Sequence, residues 1–155
     1  MFAAPDPDLP FAGRIVDGEH RLPVRVYFED TDLSGIVYHA NYLRFLERAR
    51  SDMLRLAGID QRAAFEAGEG AFAVTELTIR YRRPARLDDA LVIASRVAQM
   101  GAASVAIHQR VMRADELLVS AQVTVALVGR NGRPRRQPPA WRAAFAPFTT
   151  GVDSE

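Results

Sequence analysis

The sequence predicts an α+β domain in which a five-stranded antiparallel sheet meets one long helix. An alternating, strand-like stretch precedes a strongly amphipathic helical one, and residues 71–128 then alternate almost throughout. The connections inside that last stretch are too short for parallel crossovers, so its strands must pair as hairpins. A chain of 155 residues has the length of one domain and can bury roughly 70% of its unfolded surface.

Each element has its own signal. Residues 1–21, rich in Pro, Gly and Asp and without a period, are expected as a flexible arm ahead of a domain over 22–147 and a tail over 148–155. Val24, Val26 and Phe28 alternate with Arg25, Tyr27 and Glu29 as in a half-buried strand. Tyr42, Phe45, Leu46, Ala49, Met53 and Leu56 then recur three or four apart, which lines one face of a helix that Gly58 stops. A short second helix over 61–67 is capped by Asp60. Strands are expected over 71–83, 90–100, 102–113 and 117–128, and a brief amphipathic segment follows around Trp141 and Phe145. One helix cannot cover both faces of such a sheet, so the sheet curls around it, a second subunit covers the rest, or both.

Composition removes whole chemistries. All 20 basic residues are arginine, so no lysine forms a Schiff base or serves a P-loop. There is no cysteine, hence no thiolate nucleophile, disulfide or thiolate-held metal. A three-histidine metal site would consume His20, His39 and His108. No metal and no cofactor is expected, and catalysis falls to carboxylates, hydroxyls, a histidine or backbone dipoles. The formal charge of +1 is lopsided: residues 1–79 hold 8 Arg against 13 acids, and residues 80–142 hold 12 Arg against 4. The N-terminus lacks the basic and apolar regions of a signal peptide, and the longest nearly apolar run, Leu117–Val128, is too short to span a bilayer. The expectation is a soluble cytoplasmic protein without a membrane span.

The unusual residues concentrate in Glu29-Asp30-Thr31-Asp32-Leu33-Ser34-Gly35-Ile36-Val37-Tyr38-His39-Ala40-Asn41-Tyr42. Three readings compete. Asp30, Asp32, Ser34 and Gly35 fit the first half of a calcium loop, but Asn41 stands where the bidentate glutamate belongs. Capping and turn formation would account for the polar residues without chemistry, and Asp30 fits that role. The third reading is acyl transfer: free N–H groups and the dipole at a helix start hold an oxyanion. A facing carboxylate, Asp32, would then be general base or nucleophile.

That loop, with its flanks from Val26 to Arg50, resembles the signature of hotdog-fold acyl-CoA thioesterases of the 4-hydroxybenzoyl-CoA thioesterase class. It is most similar to the bacterial branch associated with the Tol–Pal cell-envelope system. Ala71-Phe72-Ala73-Val74 and the run from Tyr81 to Asp89 match the spacing of that branch, and the likeness covers residues 22–130. The resemblance implies a hotdog fold, a five-stranded antiparallel sheet wrapped around one long central helix. It implies hydrolysis of acyl-CoA thioesters with Asp32 as the catalytic carboxylate and His39 as its companion, the His39 backbone N–H polarising the thioester carbonyl. It also implies a homodimer or homotetramer with sites at subunit interfaces.

Coenzyme A carries phosphates, which guanidinium groups bind bidentately. Arg82, Arg83 and Arg86 beside Pro84, and Arg130, Arg133, Arg135 and Arg136 after Asn131-Gly132, are the candidates. Nucleic acid is not an expected partner, since the arginines lack interleaved aromatics and no nucleic-acid module is recognised. The rival reading is a non-catalytic module on the same fold that binds acyl carrier protein or an envelope complex.

Overall fold

A computed structural model describes residue 4 and residues 6–149; the remainder of the expected tail, 150–155, lies outside the described residues. The strands are β1 (Arg14–Val16), β2 (Glu19–Arg25), β3 (Ala71–Tyr81), β4 (Ala90–Met100), β5 (Ser104–Arg113) and β6 (Glu116–Val128). The helices are α1 (Asn41–Leu56), α2 (Gln61–Glu66) and α3 (Pro139–Ala144). All strands pair antiparallel in one sheet of order β1-β2-β4-β5-β6-β3.

The sheet therefore has six strands, not the expected five. The extra strand lies within the segment expected as an arm, and β2 begins at Glu19 rather than Leu22. The cause is a tight hairpin: Asp17 and Gly18 both take positive φ (50° and 73°), as a two-residue turn between twisted strands requires. At its other end β2 stops at Arg25, and Phe28 falls in a single 3-10 turn, Phe28–Asp30, where it is 82% exposed rather than half-buried in a strand.

Irregular register between Val74/Glu76, Val97/Gln99 and Val111/Met112 bends the long strands. The curled sheet receives the apolar face of α1, where Tyr42, Phe45, Leu46, Ala49 and Met53 are buried against Ile93, Val97, Ile107, Val111, Val119 and Val123. Leu56, expected on that face, is exposed. Asp60 caps α2 by accepting from the Ala63 N–H at 3.0 Å, as expected.

A polar row crosses this core. His20, Ser95 and Gln109 are directly paired neighbours on β2, β4 and β5, and each is fully buried. Gln109 Nε2 donates to the Leu46 carbonyl (3.0 Å) and to Ser95 Oγ (2.9 Å), while its Oε1 accepts from Arg50 (2.9 Å). His20 Nε2 lies 2.7 Å from Asp52 Oδ2, which also accepts the Gly13 N–H at 2.9 Å. Apolar packing is tolerant of sliding, but buried polar groups must be paired, so this row fixes where α1 sits along the sheet. At the far end Phe145 and Phe148 enter the core and Trp141 packs on Phe72 at 5.7 Å. Phe148 belongs structurally with the domain although the sequence places it in the tail.

Candidate active site

The loop between β2 and α1 is built from both of its ends. Asp30 is only 5% exposed: its Oδ2 accepts the Tyr27 N–H (2.8 Å), its Oδ1 accepts Asn41 Nδ2 (2.9 Å), and its carbonyl accepts the Tyr38 N–H (2.9 Å). Asp30 thus ties the loop's entry to its exit, the structural role expected of it. With both carboxylate oxygens occupied inside the protein, it does not converge with Asp32 as a calcium loop would demand.

Between those ties the chain doubles back. The Asp32 N–H donates to the Ile36 carbonyl (2.9 Å) and Gly35 N–H to the Asp32 carbonyl (3.1 Å), with Gly35 at φ 78°, a conformation that favours glycine. The turn at Pro84 braces it from outside, through Val37 N–H to the Ala85 carbonyl (2.8 Å) and Leu87 N–H to the Gly35 carbonyl (3.2 Å). The Asp32 carboxylate is left exposed, with Oδ1 accepting both the hydroxyl (2.5 Å) and the N–H (2.8 Å) of Ser34. These bonds, the hydroxyl first, hold its pKa below the ordinary aspartate value. It is ionised at neutral pH.

Asp32 faces the start of α1. Together with Glu29, Thr31, Tyr38, Ala40, Asn41 and Arg44 it lines a depression of about 380 Å³. At the helix start Asn41 N–H donates to the Tyr38 carbonyl (2.8 Å) and Leu43 N–H to the Ala40 carbonyl (3.2 Å). The N–H groups of His39 and Ala40 donate to no other described residue. Free N–H groups at a helix start favour negative charge.

The His39 imidazole lies outside the lining of that depression. It packs on Tyr38 (ring centroids 4.6 Å) and edge-on to Tyr81 (6.5 Å). The Tyr81 hydroxyl, its pKa raised by partial desolvation, donates to the His39 carbonyl at 2.8 Å. Neither Tyr81 nor Arg44 stood out in the sequence. Tyr81 reads there as one more strand residue, and Arg44 as part of the solvent face of a helix.

The two arginine groups separate along β6. Arg82 and Arg83 donate their N–H groups to the Leu118 carbonyl (2.8 and 3.1 Å), and Arg86 bridges to Ile36, so this group adjoins the Asp32 loop. The second group follows the other end of β6. Arg130 donates to the Glu66 carbonyl (3.2 Å) and Arg135 to the Gly68 carbonyl, so both secure the turn after α2. Arg133 and Arg136 are exposed. Within one chain this second group is at the wrong end of the sheet for Asp32. A second cavity, about 210 Å³, opens between α1 and β3, with Met53, Phe72, Ile107, Val125 and Phe145 inside and Glu47 and Arg50 at its polar side.

A carboxylate set against free N–H groups at the start of a helix can serve acyl transfer chemically. Residues 34–120 match the family described as the thioesterase superfamily, and the chain belongs to that family of thioester hydrolases, with its hotdog fold. It is 41% identical over 132 residues to the acyl-CoA thioesterase YbgC of Haemophilus influenzae, covering 84% of this chain and 97% of that one. It is 43% identical over 127 residues to the acyl-CoA thioester hydrolase YbgC of Escherichia coli O6:H1, covering 81% and 94%. Among solved structures it resembles a probable thioesterase from Bartonella henselae (TM-score 0.73, 38% identity, covering 77% of this chain and 99% of that one). A 1,4-dihydroxy-2-naphthoyl-CoA thioesterase from Synechocystis shares the fold at 22% identity (TM-score 0.77, covering 83% and 96%). Among the described residues no helix is long and apolar enough to cross a membrane.

Proposed function

We propose that the protein hydrolyses acyl-CoA thioesters to the free acid and coenzyme A, with Asp32 as the reacting carboxylate. The observation that carries this is the ionised, exposed Asp32 in one depression with the start of α1. The His39 and Ala40 N–H groups take the thioester oxygen, whose charge grows as the carbonyl carbon becomes tetrahedral. Asp32 removes a proton from the attacking water, or attacks directly to give an anhydride that water then opens. Collapse breaks the C–S bond and the coenzyme leaves as thiolate, to be protonated in solution. The His39 ring, packed against Tyr38 and Tyr81, accompanies Asp32 by shaping the helix start.

Arg82, Arg83 and Arg86 are the phosphate-binding group for the site on their own chain. Arg133 and Arg136, with Arg135 beside them, serve only a site completed by another copy. The exposed edge of β3, eleven residues long and paired on one side only, supports pairing with a second copy as a homodimer, which antiparallel two-fold pairing would build. An acyl-CoA substrate is in keeping with a cytoplasmic protein.

The test is coenzyme release from a panel of acyl-CoAs and from the matching acyl carrier protein thioesters, in the presence of a strong chelator. Hydrolysis of the acyl-CoAs supports the reading. Turnover of carrier thioesters alone would reassign the donor, and turnover of neither would leave a binding module.

A further inference from the structure

The register of the sheet sets arginines side by side on the face turned away from α1. Directly paired residues run Arg14, Arg21, Ala94, Arg110, Ser120, Arg80, one from each strand in sheet order. Paired residues share a face, and neighbouring strands lie about 4.8 Å apart, so the row is about 24 Å long. Arg96, one step along β4, joins it through Glu19. That carboxylate accepts from Arg110 (2.6 Å) and Arg21 (3.0 Å) and lies 3.2 Å from Arg96.

Three guanidinium groups therefore gather around one carboxylate that is itself almost fully buried. Arg14 and Arg80 are exposed at the two ends, and no ion pair engages either among the described residues. Arg21, Arg96 and Arg110 keep 30%, 34% and 34% of their side chains in solvent. His108, paired with Arg96, is held below the ordinary histidine pKa by burial and then by Arg110 and Arg96, a sign of the same positive field.

We propose that this row docks an acidic helix of a partner protein. About 16 helical residues span the same 24 Å. Carboxylates on one face of such a helix meet guanidinium forks already held in place by Glu19. The other occupants fit less well. A second copy laid face to face would oppose like charges. The row carries no exposed apolar side chain to enter a lipid headgroup layer, since Ala94 is buried and Ser120 is polar. The strands present no Phe, Tyr or Trp on this face for bases to stack upon. Because α1 and its N-terminus lie on the opposite face, docking leaves the Asp32 site open.

Fluorescence anisotropy of a labelled helical peptide of about 16 residues, with Glu at every fourth position and its neighbours, tests this with the full chain. Wild type binds in low salt and releases in high salt. Arg14→Glu with Arg80→Glu weakens binding at least about tenfold while coenzyme release is unchanged, and Arg133→Glu with Arg136→Glu, equal in charge change, leaves peptide binding intact. Absence of wild-type binding in low salt, or equal loss in both double variants, overturns the proposal. So does selective loss of binding to anionic vesicles or a single-stranded oligonucleotide in Arg14→Glu/Arg80→Glu, with peptide binding kept.

Discussion

The Tyr81 hydroxyl, at the end of β3, donates to the His39 carbonyl at 2.8 Å and so joins the sheet edge to the turn that opens α1. That carbonyl belongs to the peptide whose N–H is Ala40's, and a hydrogen bond at one end of a peptide strengthens donation at the other. Tyr42 reinforces the joint, stacking edge-on with Tyr81 at 5.6 Å and accepting the Ala85 N–H at 3.0 Å.

Tyr81→Phe keeps the ring and removes only the hydroxyl. It should lower kcat by about 3- to 10-fold with KM nearly constant, because the lost interaction matters most when the oxyanion is formed. Steady-state kinetics beside a thermal melt checks this. A raised KM at constant kcat would assign Tyr81 to substrate binding.

The pH dependence follows from Ser34. If Asp32 reacts as proposed, in its carboxylate form, its lowered pKa should keep activity until pH falls through that value. Removing the hydroxyl in Ser34→Ala takes away the largest stabilisation of the charged form while the backbone bond remains. The acid limb of kcat/KM should move to higher pH, toward the ordinary aspartate value, with the neutral plateau little altered. An acid limb that stays in place would show that Asp32 is not the titrating group.

Stability has its own pressure point where Gly13, His20 and Asp52 meet. A Cβ on Gly13 would lie 2.6 Å from Asp52 Oδ2 and 2.7 Å from both the Arg21 carbonyl and His20 Nε2, so Gly13→Ala must push the N-terminal segment off α1. His20→Leu leaves the nearly buried Asp52 without its ring partner, a loss of about 1–3 kcal/mol by the usual cost of a buried hydrogen bond left unmade. Urea denaturation measures both. Coenzyme release should survive at low temperature, since neither residue lines the site.

The proposed phosphate contacts can be separated between the two arginine groups. Arg86→Ala should raise KM more than it lowers kcat, because the phosphates are bound alike in ground and transition states. Arg133→Ala with Arg136→Ala should do the same only in the oligomer, a dependence that activity against protein concentration reveals. An unchanged KM in every variant would move the phosphates elsewhere.

Periodicity revealed the elements whose signal is local. The α1 stripe from Tyr42 to Met53 is buried, and so are Val119, Ala121, Val123, Val125 and Leu127 of β6. The sixth strand was legible in principle, since Asp17-Gly18 is a strong hairpin signal, but the polar flanks Glu19 and His20 mask it. Their burial is set by distant partners, Arg110 and Asp52, which no window of sequence contains. The same holds for the site. Asp32 and the helix start stand out because they share one loop, whereas Tyr81 reaches His39 from 42 residues away. Phe28 continues a hydrophobic alternation that the backbone abandons, because Val26 already pairs with the turn at Asp88 and Asp89.

The central claim is that Asp32 performs the hydrolysis, and the most direct measurement is coenzyme release from the best acyl-CoA by wild type, Asp32→Asn and Asp32→Ala. The two variants should remain folded, because Asp32 is exposed, and should lose about 100-fold or more in kcat, the scale of a missing base or nucleophile. Hydrolysis by Asp32→Ala at the wild-type rate would contradict the account.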